Sequence, residues 1–146
     1  MHRKVLIEVA SLLLIFAPSV SMTSEAIELK EIMQGLRDNL VDISDGLLTD
    51  DFEKIAQGAD GIAAHPRIPP WQVKLVAAEL GSEMAAFKQL DTLVHDLSLE
   101  IGAAATTHNY DDALSGYQRL LDGCLACHST YKDRVAAVLS AAPGPE

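Results

Sequence analysis

From Leu29 onward the apolar residues fall at Leu29, Met33, Leu36, Leu40, Ile43 and Leu47, in alternating steps of four and three. At about 3.6 residues per turn this spacing draws one stripe down one face of an α-helix. It does not fit the period of two that a half-buried strand needs. The same steps recur at Phe87, Leu90, Val94, Leu97, Ile101 and Ala104, and again at Ala113, Tyr117, Leu120, Cys124, Tyr131, Val135 and Val138. No segment alternates for long and β-branched residues do not cluster, so the fold class is all-α. A stripe of this width is stable only when other stripes cover it. Short connections between several such helices predict an antiparallel four-helix bundle.

Local chemistry predicts the boundaries. Ser24 is a suitable N-cap for the first helix, with Glu25 and Glu28 in the first turn where carboxylates suit the macrodipole. Asp45-Gly46 reads as its stop. Thr49 reads as the cap of a second helix carrying Phe52, Ile55, Ala56, Ala59 and Ile62. That helix must end before His65-Pro66-Arg67-Ile68-Pro69-Pro70, because the ring of proline removes a donor and restricts the residue before it. Pro70 then suits the first turn of a short helix through Trp71, Leu75 and Val76. Gly81-Ser82 opens the third long helix, residues 106–109 break it, and Asn109 caps the last one. The tail from Ala141 reads as frayed.

The chain begins with His2, Arg3 and Lys4, continues with an apolar stretch from Val9 to Ala17, and reaches Ser19-Val20-Ser21. A basic start, a short apolar run and a small-x-small site describe a secretory signal over residues 1–21, with a mature domain over 22–146. The apolar run is short for a membrane span, so no stable membrane insertion is expected, and export implies a periplasmic protein. The chain carries 11 Lys+Arg against 21 Asp+Glu. Removing Arg3, Lys4 and Glu8 leaves 9 against 20. A body so acidic excludes nucleic acid and anionic lipid as partners and favours a soluble partner with a basic patch.

The two cysteines of the chain stand together in Cys124-Leu125-Ala126-Cys127-His128. Four chemistries use such a run: a redox dithiol, half of a zinc site, a disulfide, or covalent haem attachment. A disulfide closing so small a ring constrains little of the unfolded chain. A zinc site calls for further soft ligands, and no second Cys-x-x-Cys exists. A thioredoxin-like pair belongs beside a strand in a β-α-β unit, which this sequence lacks. On a helix, positions i, i+3 and i+4 leave from one face, so two thiols can add across two vinyl groups while the imidazole reaches the iron. In an exported chain this spacing is a specific signal for one covalent haem c, with Cys124 and Cys127 as anchors and His128 as proximal ligand.

The candidates for the sixth iron position are Met22, Met33, Met84, His65, His95 and His108. Met33 lies on the apolar stripe of the first helix and is expected to point into the bundle, although methionine at such a position also serves as core filler. His95 lies one step off the stripe beside Asp96, while His65 and His108 fall in turns. Met33 is therefore the expected distal ligand. No phosphate-cradling glycine loop and no Ser-His-Asp arrangement is present, so an enzyme is not expected.

A C-terminal "CLACHSTYK" on the last helix of an exported all-helical chain resembles the cytochrome c′ family. The resemblance spans the whole mature chain. "IMQGLRDNLVDI" resembles the first helix of those bundle cytochromes that give a methionine to the iron, with Met33 at the matching position. This implies the low-spin branch with His/Met ligation rather than the high-spin one, whose first helix carries a non-coordinating apolar residue. The family pattern continues with Tyr or Phe and then Arg; Tyr131 fits, while Lys132 keeps the charge and loses the planar fork. Arg37 is a candidate for a propionate. Since a His/Met site leaves no open position, the resemblance implies a periplasmic one-electron carrier that docks with basic redox partners and can form a homodimer. The alternative it leaves is a five-coordinate haem that binds NO or CO.

Overall fold

The computed structural model describes residues 28–142. The signal segment 1–21, Met22, Ser24 and the last four residues lie outside that range. Five helices follow in order: α1 (Leu29–Thr49), α2 (Phe52–Ala63), α3 (Pro70–Leu80), α4 (Met84–Thr106) and α5 (Tyr110–Ala141), with a 3₁₀ turn at Gly81–Glu83 before α4. No strand occurs among the described residues. The long stripes of α1, α4 and α5 and the shorter one of α2 pack together, and α3 lies against α5. Among the described residues no helix is long and apolar enough to cross a membrane.

Two of the sequence boundaries move. Asp45-Gly46 does not stop α1, which runs on to Thr49. Gly46 is buried in a helix crossing, where a Cβ would stand 2.7 Å from Ile55 Cγ1 and 2.8 Å from the Asp51 carbonyl. It is there for closeness, not for a turn. Asp50 supplies the left-handed residue that ends α1, at φ 56°. Thr49 does not cap α2, because its hydroxyl donates back to the Asp45 carbonyl. The Asp51 carboxylate caps instead, accepting the Lys54 N–H at 3.0 Å. Asn109 does cap α5, accepting the Asp112 N–H at 3.3 Å, and His108 makes the turn before it with φ 54°.

Three seams between helices are tight. Gly46 meets Ile55, Gly58 meets Ile43 and the Asn39 carbonyl, and Gly61 meets Asn39. The contacts descend α1 as they ascend α2, so these two helices run in opposite directions. Gly116 meets Ile101 and Gly123 meets Val94, which sets the same opposed register for α4 and α5. Gly102 of α4 sits beside Ala59 and Asp60 of α2. The fourth seam differs, since α1 and α5 touch at few points. It is pinned at one end, where the Tyr110 hydroxyl donates to the Leu47 carbonyl at 3.2 Å. Toward the other end α3 bridges it: buried Gln72 accepts the Leu29 N–H at 2.8 Å, while Val76 and Leu80 pack with Leu29, Tyr131 and Val135.

The core is divided. One cluster holds Ile43, Leu47, Ile55, Ala59, Ile62, Leu97, Ile101, Ala113 and Leu120. A second holds Leu29, Val76, Leu80, Tyr131 and Val135, with Phe87, Leu90 and Cys127 against it. Full burial of a Leu or Ile is worth about 1.5–3 kcal/mol. Ile43, Ile55, Leu97, Ile101 and Leu120 are all fully buried in the first cluster, which therefore carries most of the stability.

The crossing geometry predicts opposite outcomes for two glycines of one helix. Gly46→Ala should destabilise by about 1–3 kcal/mol through overpacking against backbone atoms. Gly35→Ala, whose Cβ meets nothing within 4 Å, should stabilise by about 0.5–1 kcal/mol. Equilibrium urea unfolding measures both.

Candidate functional site

The break between the two clusters falls at one level on three helices. On α1 it lies between Leu29 and Leu36, where Ile32 is buried and Met33 is exposed. On α4 it lies between Leu90 and Val94, and on α5 between Leu120 and Cys127, with Cys124 inside it. Helix α2 contributes only to the first cluster.

Cys124 and Cys127 lie well inside α5, both half-buried and not joined in a disulfide. Burial pushes the Cys124 thiol above its usual pKa. Burial does the same to Cys127, with Asp91 and Cys124 adding to the effect. Redox-active cysteines owe their reactivity to a helix N-terminus or a cation that lowers the pKa. Both thiols here shift the other way. Among the described residues no three His, Cys, Asp or Glu side chains converge as a metal cage, so Cys124, Cys127 and His128 do not form a compact zinc site.

His128 is exposed. It lines a hollow with Leu125, Ala126, Ser129, Lys132 and Asp133. All of these belong to α5, so the hollow is a strip of helix surface rather than an enclosed pocket. By helical spacing His128 stands on the flank of the α5 stripe, a turn beyond Cys124, and the three residues do not share one buried face. Tyr131, one turn further, is buried and meets Phe87 of α4 edge-on, with ring centroids 5.5 Å apart at 83°. This aromatic pair floors the break, a role that no sequence spacing announced.

The remaining donors are placed elsewhere. Met33 does not point into the bundle as its place on the stripe predicts: it is 37 % exposed, and the neighbouring Ile32 is the buried residue of that turn. Met84 packs into the second cluster at the start of α4. His95 is exposed and paired with Asp96 at 3.2 Å. The His65 ring bonds the Pro66 carbonyl at 2.8 Å, and His108 leans on Phe52 with centroids 4.7 Å apart, at the far end of the first cluster. Arg37 is paired at the surface with Asp38. Gln72, which the sequence did not single out, ties α1 to α3 below Met33. No family model, curated protein or solved structure matches the chain.

Raised thiol pKa values have a measurable sign. In chain made without cofactor attachment, both cysteines should alkylate with iodoacetamide at pH 7 more slowly than free cysteine. The rate should climb only as pH passes above the ordinary thiol range of about 8.5. A rate plateau already reached below pH 7 would mean an activated thiolate.

Proposed function

We propose that the chain is a periplasmic monohaem c-type cytochrome, built as an antiparallel four-helix bundle of the cytochrome c′ kind, that carries single electrons. One observation supports the reading: Cys124 and Cys127 stand half-buried and not joined in a disulfide on α5, where the two core clusters part. The donor set fits a covalently held haem. Cys124 and Cys127 are half-buried and not joined in a disulfide, as thiols that are to become thioethers need to be. His128 offers an imidazole beside them, Met33 offers a soft sulfur on α1, and Phe87, Tyr131, Leu36 and Leu90 offer apolar walls.

In this reading each residue has a defined task. Cys124 and Cys127 would hold the group to α5, and His128 and Met33 would serve as its iron ligands. Haem so bound supplies one-electron cycling between ferrous and ferric iron, and a thioether ligand favours the ferrous form. The ligand-bearing helices are fixed by the tight glycine seams, the Tyr110–Leu47 bond and the Gln72–Leu29 bond. Little backbone needs to move when the charge on the iron changes. With both faces taken no substrate site remains, so the role is carriage rather than catalysis.

A second reading rests on the 37 % exposure of Met33. A side chain so loosely held can act as a bulky neighbour rather than a ligand, leaving a five-coordinate site for NO or CO.

Optical spectra separate the two. Purified mature protein should give a covalent pyridine haemochrome, lost in Cys124→Ser/Cys127→Ser, and a low-spin ferrous form indifferent to CO. Met33→Ala should bind CO rapidly and lower the reduction potential by about 0.1 V, within the ~0.8 V range that axial ligands command. Rapid CO binding by the unaltered protein would favour the second reading.

A further inference from the structure

The charge of this chain is segregated along the bundle. Residues 37–63 and 93–123, the half around the first cluster, carry 12 Asp+Glu against three Lys+Arg, a net of −9. Residues 28–36, 64–92 and 124–142, the half that holds the second cluster and the site, carry six of each, a net of zero. Pairing sharpens the contrast. In the acidic half every cation is engaged: Arg37 by Asp38, Lys54 by Asp42 and Asp45, and Arg119 by Glu100. In the site half four of the six carboxylates are engaged, Glu28 and Glu31 in the α1 capping box and Glu79 and Glu83 on Arg134. That leaves Asp91 and Asp133. Lys30, Arg67, Lys74, Lys88 and Lys132 are all exposed in that half and make no ion pair among the described residues.

An acidic total therefore misdescribes the surface that a redox partner must reach. A basic partner is drawn to the α1/α2 and α4/α5 turns, where Asp50, Asp51, Glu53, Asp111 and Asp112 gather. That end is several helical turns from His128 and Met33. We infer that the productive docking surface is the site-bearing half, with exposed Leu125 as an apolar contact beside Lys132 and Lys30, Lys74 and Lys88 as the unpaired cations of the same half. The partner it fits is a redox protein whose own docking face is apolar and rimmed with carboxylates. The acidic half turns the molecule so that this end leads in encounters with such a partner, because the dipole orients a body even where its net charge repels. This rests on the electron-carrier reading.

Two measurements test it, one of which needs no haem. Hexacyanochromate(III), a paramagnetic trianion, should broaden NMR signals around Lys30, Lys74, Lys88 and Lys132 in either the apo or the mature protein. Broadening spread evenly, or absent there, overturns the proposal whatever the cofactor. In the mature protein the second-order rate of one-electron oxidation by hexacyanoferrate(III) should stay flat or fall as salt is raised. Lys88→Glu/Lys132→Glu should slow it at low salt by about three- to tenfold, within the range of electrostatic steering, while Asp111→Lys/Asp112→Lys should change it less than about twofold. A rate that climbs steeply with salt, as a mature body with 9 Lys+Arg against 20 Asp+Glu, a net of −11, would give if its charge were evenly spread, sinks the proposal. Absence of covalent haem is a different result and removes the electron-carrier reading itself.

Discussion

What organises this molecule is an imbalance between its seams. Glycine lets backbones approach until side chains of one helix touch main chain of the next, and Gly46, Gly58, Gly116 and Gly123 lie in two of the three tight seams. Dispersion and burial are strongest at such contact, so α1–α2 and α4–α5 behave as two rigid pairs joined through α2 and α4. The α1/α5 seam has no comparable approach. Two polar ties, Tyr110 to Leu47 and, through α3, Gln72 to Leu29, hold it near its ends. The looseness of this seam is thus a consequence of where small residues were placed.

Much of this was legible in the sequence because helical periodicity is a strong, local signal. The stripe from Leu29 to Leu47 and the one from Ala113 to Val135 give the helices and most of their inner faces, missing at Met33, whose neighbour Ile32 is buried in its place, and residues 65–70 mark the break before α3. Gly46 misled because one residue type serves two ends: a glycine after an aspartate marks a stop, yet the same missing Cβ serves a close crossing. Only the partner helix decides which, and Ile55 is nine residues away. Thr49 misled for a related reason, since its hydroxyl can bond backward into the helix it ends as readily as forward into the next one. The pairing of Tyr131 with Phe87 and of Gln72 with Leu29 spans long separations and leaves no trace in any local spacing.

The candidate site was legible in a different way. Cys124, Cys127 and His128 announce themselves by chemistry, and their neighbourhood adds what chemistry alone lacks. Half-burial raises the pKa of both thiols, the opposite of the shift that activates a redox dithiol. His128 on the flank of the stripe could not be read from i, i+3, i+4 spacing, which treats three residues spread over part of the helix circumference as one face.

The placement of charge would bear on a haem iron held at the proposed site as well as on its partner. Carboxylates stabilise the ferric state and so lower a reduction potential, and nine net negative charges close to a site would oppose a thioether that favours the ferrous state. Distance weakens that opposition in part. From Met33 to Asp50 is 17 residues of α1, about 25 Å at 1.5 Å per residue, against a screening length of about 8 Å at physiological ionic strength. Among the acidic-half residues nearer the proposed site the matching is partial: Asp38 and Glu100 each pair with an arginine and Asp42 and Asp45 share Lys54, while Asp96 and Asp122 pair with no Arg or Lys among the described residues. At a haem held here those two carboxylates would be the charges of that half that most oppose the ferrous preference of a thioether, more than the distant acidic turns.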